Sequence, residues 1–155
     1  MKFLNINQDN KKMITDLNHH IKKKDPIFIL FYMEGCGPCN AARPEWKKIE
    51  NVLGDKYKER ENYIVVDIDQ SLMDGIEGLK DSPAGFPTIR YMNGNDYTPY
   101  ESNRDIDSFV KWIESNIDQK QSASKHSGGN KTKKRKRKSR TKSKKRRKSK
   151  TKNRK

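Results

Sequence analysis

An unbroken run of apolar side chains, Ile27 to Tyr32, leads into a loop that holds the only two cysteines of the chain, Cys36 and Cys39. Such a run, of strand length, is typical of a strand at the centre of a sheet, where both faces are buried. Beyond Cys39, apolar residues recur at the spacing of an amphipathic helix, with Pro44 inside the pattern. The sequence therefore predicts a central strand, a loop with two cysteines, and a long helix kinked near Pro44.

Cys36 and Cys39 have the spacing and the location of a redox pair. Two cysteines separated by two residues can close a small disulfide ring, and the start of a helix brings together N–H groups that stabilise a thiolate. Pro38 has a fixed φ and no N–H group, which suits the first turn of a helix, and Gly37 and Pro38 together set the ring geometry. We therefore predict catalytic roles for Cys36 and Cys39 and supporting roles for Gly37 and Pro38.

Two other interpretations of the cysteine pair remain open at this point. The cysteines can form a purely structural pair, or they can supply half of a zinc site. A tetrahedral zinc site needs two further ligands, and His19, His20 and His126 have poor spacing for that role. We expect redox chemistry without a bound metal or cofactor.

The rest of the chain predicts strands and helices in alternation. The predicted elements are a strand at 3–6, a helix capped by Asp9 or Asn10 and ending near Lys24, a strand at 63–68, a short helix at 72–79, strands at 86–92 and 97–100, and a final helix capped by Asn103 or Asp105. The pair Asn93-Gly94 is a hairpin signal, so the last two strands are expected to be antiparallel. This order predicts an α/β fold with a central mixed sheet and helices on both faces.

Charge divides the chain into two parts. Residues 1–118 carry 16 basic side chains and all 20 acidic ones, whereas residues 119–155 carry 20 basic side chains and no acidic one. A segment with so few apolar residues cannot build a core, and its charges repel one another. We predict one folded domain at 1–118, a flexible linker at 119–130 and a disordered basic tail at 131–155.

The predicted tail has the composition of a polyanion-binding segment, because 18 of its 25 residues are Lys or Arg. Its lack of aromatic residues favours contact with the nucleic-acid backbone over stacking on bases. A nuclear localisation signal is the competing interpretation of the same residues. The candidate contact residues are Lys133, Lys134, Arg135, Lys136, Arg137, Lys138, Lys144, Lys145, Arg146, Arg147 and Lys148.

The sequence contains no apolar segment near the ~20 residues that a membrane-spanning helix needs. Lys2 is followed by only a short apolar trace, broken by polar residues from Asn5 onward, which does not fit the apolar core of a signal peptide. We expect no membrane partner and no export by a signal peptide.

Three landmarks make the chain similar to the thioredoxin superfamily over roughly residues 4–117. Cys36-Gly37-Pro38-Cys39 matches the thioredoxin motif, Pro44 falls where the family kinks its second helix, and Gly85-Phe86-Pro87-Thr88 matches the segment with the family's cis-proline. Phe31-Tyr32 and the segment from Tyr100 to Ile113 resemble the catalytic domains of protein disulfide isomerases. The resemblance implies a thioredoxin fold, with protein disulfides and thiols as substrates. We expect the domain to be monomeric.

The resemblance also implies roles for individual residues. Cys36 attacks a substrate disulfide as a thiolate, and Cys39 then attacks the mixed disulfide and releases the reduced substrate. A cis Pro87 would place the backbone of Phe86 against the disulfide, where it holds a substrate chain in extended form. Arg104 matches an arginine that, in isomerase domains, can approach the site and favour the resolving thiolate.

Two residues depart from the family pattern. Gly35 stands where the family usually has a tryptophan, which removes an aromatic platform and gives the loop more freedom. Leu30, six residues before Cys36, stands where the family has a buried acid that handles the proton of the second cysteine. The departure at Leu30 implies either that Arg104 and water compensate or that turnover is slow.

The leading hypothesis is a protein-disulfide reductase or isomerase that a basic tail tethers to nucleic acid. The alternative is a thioredoxin-like packaging or scaffold protein, weakly catalytic or non-catalytic, that binds DNA or RNA through the tail. The composition of the tail also resembles the ends of proteins from large DNA viruses. Virion, nucleus and cytoplasm therefore all stay open as locations.

Overall fold

Five strands form one mixed sheet in the computed structural model, which describes residues 1–79 and 81–126, with side chains up to residue 119. The elements in chain order are β1 (Lys2–Ile6), α1 (Met13–Lys22), β2 (Pro26–Tyr32), α2 (Gly37–Leu53), β3 (Ile64–Asp69), β4 (Thr88–Asn93), β5 (Asp96–Pro99) and α3 (Ile106–His126). The strands lie in the order β1-β3-β2-β4-β5. The first three are parallel to one another, and β4 and β5 are antiparallel to their neighbours. This is the predicted thioredoxin fold.

The apolar run of β2 occupies the centre of the sheet, as predicted, and every residue from Pro26 to Tyr32 is buried. Its side chains alternate between two cores, because successive residues of a strand point to opposite faces. Phe28, Leu30 and Tyr32 pack with α2 and α3, whereas Ile27, Ile29 and Phe31 pack with α1. Helices therefore cover both faces of the sheet.

The core on the α2 and α3 face is rich in aromatic residues. Trp46 of α2 and Phe109 of α3 meet edge to face with ring centroids 5.1 Å apart, and both are buried. Such pairs add to the stabilisation that burial of the rings provides. These contacts fix α2, which carries the cysteines, against α3.

Two local predictions are wrong. Neither Asp9 nor Asn10 caps α1; instead the side chain of Asn7 accepts the N–H groups of both residues and starts a short 3₁₀ helix, Gln8–Asn10. The helix predicted at 72–79 is a 3₁₀ helix at Gln70–Gly75. It starts earlier because the carboxylate of Asp69 accepts the N–H of Ser71, and Gly75 and Gly78 disfavour a longer α-helix.

The hairpin and the last helix begin as predicted. Asn93 and Asp96 are paired across the turn between β4 and β5, where Gly94 has a φ of +66°. Asp105 accepts the N–H of Ser108 at 2.8 Å and so caps α3.

The last helix extends past the predicted end of the domain, since α3 continues to His126, inside the segment predicted as linker. The rest of that segment and the basic tail lie outside the described residues. Within the described part of the chain, no helix combines the length and the apolar character needed to cross a membrane.

Candidate active site

The two cysteines lie where the central strand leads into α2. Cys36 has extended backbone geometry and is the N-cap of α2, and Gly37 and Pro38 form the first turn of the helix. The N–H of Cys39 points to the Sγ atom of Cys36 at 3.2 Å. This N–H is among those that a helix start leaves without a backbone acceptor, so the helix supplies a donor to the sulfur of Cys36.

Cys36 and Cys39 form a disulfide, with their Cα atoms 5.2 Å apart. The two sulfurs differ in access, since Cys36 keeps 8% of its surface exposed and Cys39 none. An incoming thiol or disulfide can therefore reach Cys36 first.

Phe86 and Pro87 lie against the disulfide, although they are distant in the sequence. The antiparallel pairing of β2 with β4 places Thr88 opposite Phe31, which brings the preceding loop to the cysteines. The peptide bond between Phe86 and Pro87 is cis, and the carbonyl oxygen of Phe86 lies 3.6 Å from Cys36 Sγ. The fold thus brings together the six residues predicted from positions 36–39, 86 and 87.

Arg104 lies beside this group but not in it. The residue is exposed and lines a cavity of about 200 Å³ together with Pro87 and Tyr100. Its predicted role in favouring the resolving thiolate stays a prediction. The eleven predicted contact residues of the tail lie outside the described residues.

A buried polar cluster lies beneath the start of α2. Asp67 of β3 is 5% exposed; its Oδ2 atom accepts a hydrogen bond from Asn5 at 2.7 Å and lies 3.8 Å from Nη2 of Arg43. The guanidinium of Arg43 also stacks over the ring of Tyr32, with Cζ 3.6 Å from the ring centroid. Burial raises the pKa of the Asp67 carboxyl, and the positive charge of Arg43 offsets part of that increase.

The sequence profile of the thioredoxin family matches residues 7–115. The chain belongs to the thioredoxin family. Its similarity to a protein disulfide-isomerase of Drosophila melanogaster is 32% identity over 98 residues, which is 62% of this chain and 18% of that protein. A thioredoxin domain-containing protein of Acanthamoeba polyphaga mimivirus is 28% identical over 99 residues, covering 63% of this chain and 28% of the viral protein. The chain thus spans less than a third of these relatives.

Solved structures agree with this family assignment at the level of the fold. Human ERp44 superposes with a TM-score of 0.56 at 13% identity, over 73% of this chain and 29% of that one. Full-length ERdj5 gives a TM-score of 0.53 at 17% identity, over 76% of this chain and 15% of that one. At these identities the likeness shows the fold alone.

The two residues that depart from the thioredoxin-family pattern, Gly35 and Leu30, differ in what the structure shows at their positions. Gly35 has a φ of +75°, in the left-handed region that side chains with a Cβ rarely adopt. Leu30 is fully buried in the same apolar cluster as Cys36 and Cys39. An apolar side chain, that of Leu30, therefore occupies the position at which the family has a buried acid.

Asp67 and Arg43 were not singled out from the sequence. A signal was present at Asp67, because an acidic residue interrupts a run of apolar residues in a strand predicted to be buried. Arg43 had no such signal, since an arginine on an amphipathic helix is ordinary. Only the packing of α2 on β3 brings the two together.

Proposed function

We propose that this thioredoxin-family chain is a thiol-disulfide oxidoreductase that reduces or isomerises protein disulfides through the couple Cys36/Cys39. The observation that carries the proposal is a disulfide with one accessible sulfur, held at a helix start and 3.6 Å from a loop carbonyl. A purely structural disulfide gains nothing from leaving one of its two cysteines partly accessible. The thioredoxin-family match supports the same chemistry.

The chemistry proceeds in two exchanges. In the first, the thiolate of Cys36 attacks one sulfur of a substrate disulfide; a bond forms between Cys36 and the substrate, and the other substrate sulfur leaves as a thiolate that takes up a proton. In the second, Cys39 loses its proton and attacks Cys36. The bond between Cys36 and Cys39 forms, the second substrate thiolate leaves, and two electrons have passed from the enzyme dithiol to the substrate.

The backbone next to the disulfide favours an extended peptide as substrate. Phe86 presents its carbonyl group toward Cys36, so a peptide that reacts at Cys36 would pass beside the backbone of Phe86. Backbone contact of this kind is independent of the substrate's side chains, as a reductase or isomerase of many proteins requires. Arg104 would act from the neighbouring cavity beside Pro87.

The basic tail suggests a tether to nucleic acid. Its charge density, 18 basic residues in 25, contrasts with the net acidic character of residues 1–118. Each phosphate that the tail neutralises releases counterions, so binding would not depend on base sequence. The tail would hold the oxidoreductase near packaged or nuclear nucleic acid, and the similarity to a mimivirus protein makes a virus particle a reasonable location.

The experiment that tests the function is reduction of the disulfides of insulin by the full chain with dithiothreitol as electron donor. We expect turnover above the rate of dithiothreitol alone, its loss in Cys36→Ser, and its retention after deletion of 131–155. An unchanged rate in Cys36→Ser would reject the proposal.

A second candidate function is a packaging or scaffold protein whose thioredoxin-like domain only binds partners. The observation that favours it is that Leu30 of β2 is buried. Cys39 therefore lacks the acid that handles the proton of the second cysteine in the family. Turnover no better than that of a free dithiol, together with tight, salt-sensitive binding of DNA, would select this function.

A further inference from the structure

The resolving cysteine needs a route for its proton. Cys39 is fully buried, and its thiol must lose a proton before its sulfur can attack the mixed disulfide at Cys36. Leu30, which packs in the same cluster, cannot accept that proton. A carboxylate that takes the place of the missing acid would therefore have to lie on another element.

Asp67 lies next to Leu30 in the sheet. The two residues are directly paired between the parallel strands β2 and β3, so their side chains point to the same face. The packing confirms this direction, because Val65 belongs to the core under α2 and α3, whereas Val66 and Ile68 belong to the opposite core. The carboxyl of Asp67 therefore faces α2, the helix that carries Cys39.

Arg43 of α2 lies close to the carboxyl of Asp67, one helical turn after Cys39. Arg43 follows Cys39 by four residues, which places both on one face of the helix, about 6 Å apart along its axis. Its Nη2 atom lies 3.8 Å from Oδ2 of Asp67, while its buried Nε has no hydrogen-bond partner among the described residues. An unpaired buried N–H of this kind is a site at which a water molecule can bind.

We propose that Asp67 accepts the proton of the Cys39 thiol through a water molecule during the resolving step, and that Arg43 positions the carboxylate and the water. This inference rests on the proposed function. The proton leaves Cys39 for Asp67 as the bond between Cys39 and Cys36 forms; the bond between Cys36 and the substrate breaks, and the departing substrate thiolate is protonated. The acid that we assign to this step thus lies on β3, beside Leu30 of β2.

The surroundings of Asp67 suit a proton acceptor. It is faced by Arg43 and Lys47 of α2, by Asn5 of β1 and by Tyr32 of β2. Burial raises the pKa of the carboxyl toward that of a thiol, which improves it as a base, while Arg43 keeps the ionised form accessible. Asp67 and Lys47 also line a cavity of about 340 Å³ through which the proton can reach solvent.

The test separates the two exchanges in the full, reduced chain. An aromatic disulfide that releases a coloured thiol reacts first with Cys36 and gives one equivalent of colour; attack by Cys39 then gives the second. We expect Asp67→Asn to leave the first phase unchanged and to slow the second about 10²-fold at neutral pH. The pH profile of the second phase should also lose the inflection that belongs to the carboxyl.

Asp69→Asn is the matched control, because Asp69 is equally buried on the same strand but its carboxylate is bound to Ser71. We expect that variant to keep the rates of both phases and the pH profile of the second phase. An unchanged second phase in Asp67→Asn, or equal slowing in Asp69→Asn, would overturn the assignment. An unaltered chain that releases no first equivalent would overturn the proposed function as well.

A second measurement needs no substitution and covers the case in which Asp67→Asn does not fold. The carboxyl pKa of Asp67 is followed by NMR in the disulfide form and in the dithiol form of the full chain. If the carboxyl and the Cys39 thiol exchange a proton, their titrations are coupled and the two forms give different values. Identical values in both forms would contradict the proposal.

Discussion

The Sγ atom of Cys36 lies 3.6 Å from the carbonyl oxygen of Phe86, a residue 50 positions further along the chain. The local loop conformation of each residue is not enough to bring these two atoms together. Cys36 is held at the junction of β2 and α2, and Phe86 precedes β4, which pairs with β2. The candidate active site is therefore a product of the sheet, and its geometry is expected to be lost when the pairing of β2 with β4 is lost.

The backbone of the loop before Cys36 has a left-handed conformation at position 35, which favours glycine. Gly35 has a φ of +75°, and a Cβ in that conformation costs about 1 to 2 kcal/mol. We expect Gly35→Ala to lower the free energy of unfolding by that amount in urea titrations, although a Cβ there would meet no atom within 4 Å. Gly85→Ala is the control, since Gly85 also has open space but no positive φ, and an equal loss in both variants would exclude the backbone explanation.

The cap of α3 predicts a dependence of stability on pH. Hydrogen bonds from the backbone N–H and the hydroxyl of Ser108 lower the pKa of the Asp105 carboxyl below its usual 3.8. The ionised form is thus favoured in the folded state, so this stabilisation is complete above the usual pKa and is lost as pH falls through the lowered one. We expect Asp105→Ala, which removes the cap, to lower Tm by about 4 °C at neutral pH and by less in strong acid.

Asn103, the other residue predicted as a possible cap, provides the control for this experiment. Its side chain accepts no N–H of α3 among the hydrogen bonds of the described residues, whereas Asp105 accepts that of Ser108. Asn103→Ala should leave Tm and its pH dependence nearly unchanged. A Tm difference for Asp105→Ala that stays constant down to strong acid would contradict the role of the ionised carboxylate.

The pairing of Leu30 with Asp67 allows only one buried acid at this place. Leu30→Asp would remove a fully buried side chain and put a second carboxyl beside the first, where two negative charges disfavour each other. We expect a loss of about 3 to 5 kcal/mol in the free energy of unfolding at neutral pH. The exchange variant Leu30→Asp with Asp67→Leu should recover part of it, and an exchange variant no more stable than Leu30→Asp would argue against the charge effect.

Local patterns in the sequence were sufficient to predict the central strand of the sheet and its hairpin. The apolar run of β2 and the Asn93-Gly94 turn each determine their structure within a few residues, so the central strand and the hairpin were predicted correctly. The cap at Asn7 was missed because three neighbouring polar residues can all accept backbone N–H groups, and only the folded geometry selects one of them.

The polar cluster under α2 could not be predicted, for a different reason. The contact of Arg43 with Asp67 joins a helix and a strand that are far apart in the sequence, and it depends on how α2 lies across β3. The sequence shows only that position 30, where the family has an acid, is leucine. That Asp67 is paired with Leu30 follows only from the register of the sheet, which periodicity does not supply.

The basic tail predicts binding of nucleic acid without base specificity and with strong dependence on salt. We expect the affinity of the full chain for mixed-sequence DNA to fall about 10³-fold between roughly 50 and 200 mM salt. Fluorescence anisotropy with a labelled duplex measures this change. A chain that ends at Asn130 is the control, and equal affinity of the two chains would show that the tail does not carry the binding.

The most direct test of the central claim is trapping of the mixed disulfide in the Cys39→Ser variant. The reduced variant is mixed with a protein that contains an accessible disulfide, and covalent adducts are mapped by mass spectrometry. Because Cys36 is the accessible sulfur and Cys39 would release the substrate, we predict a stable, reductant-sensitive adduct through Cys36. No adduct in Cys39→Ser, or an equal yield of adduct through Cys39 in Cys36→Ser, would contradict the account.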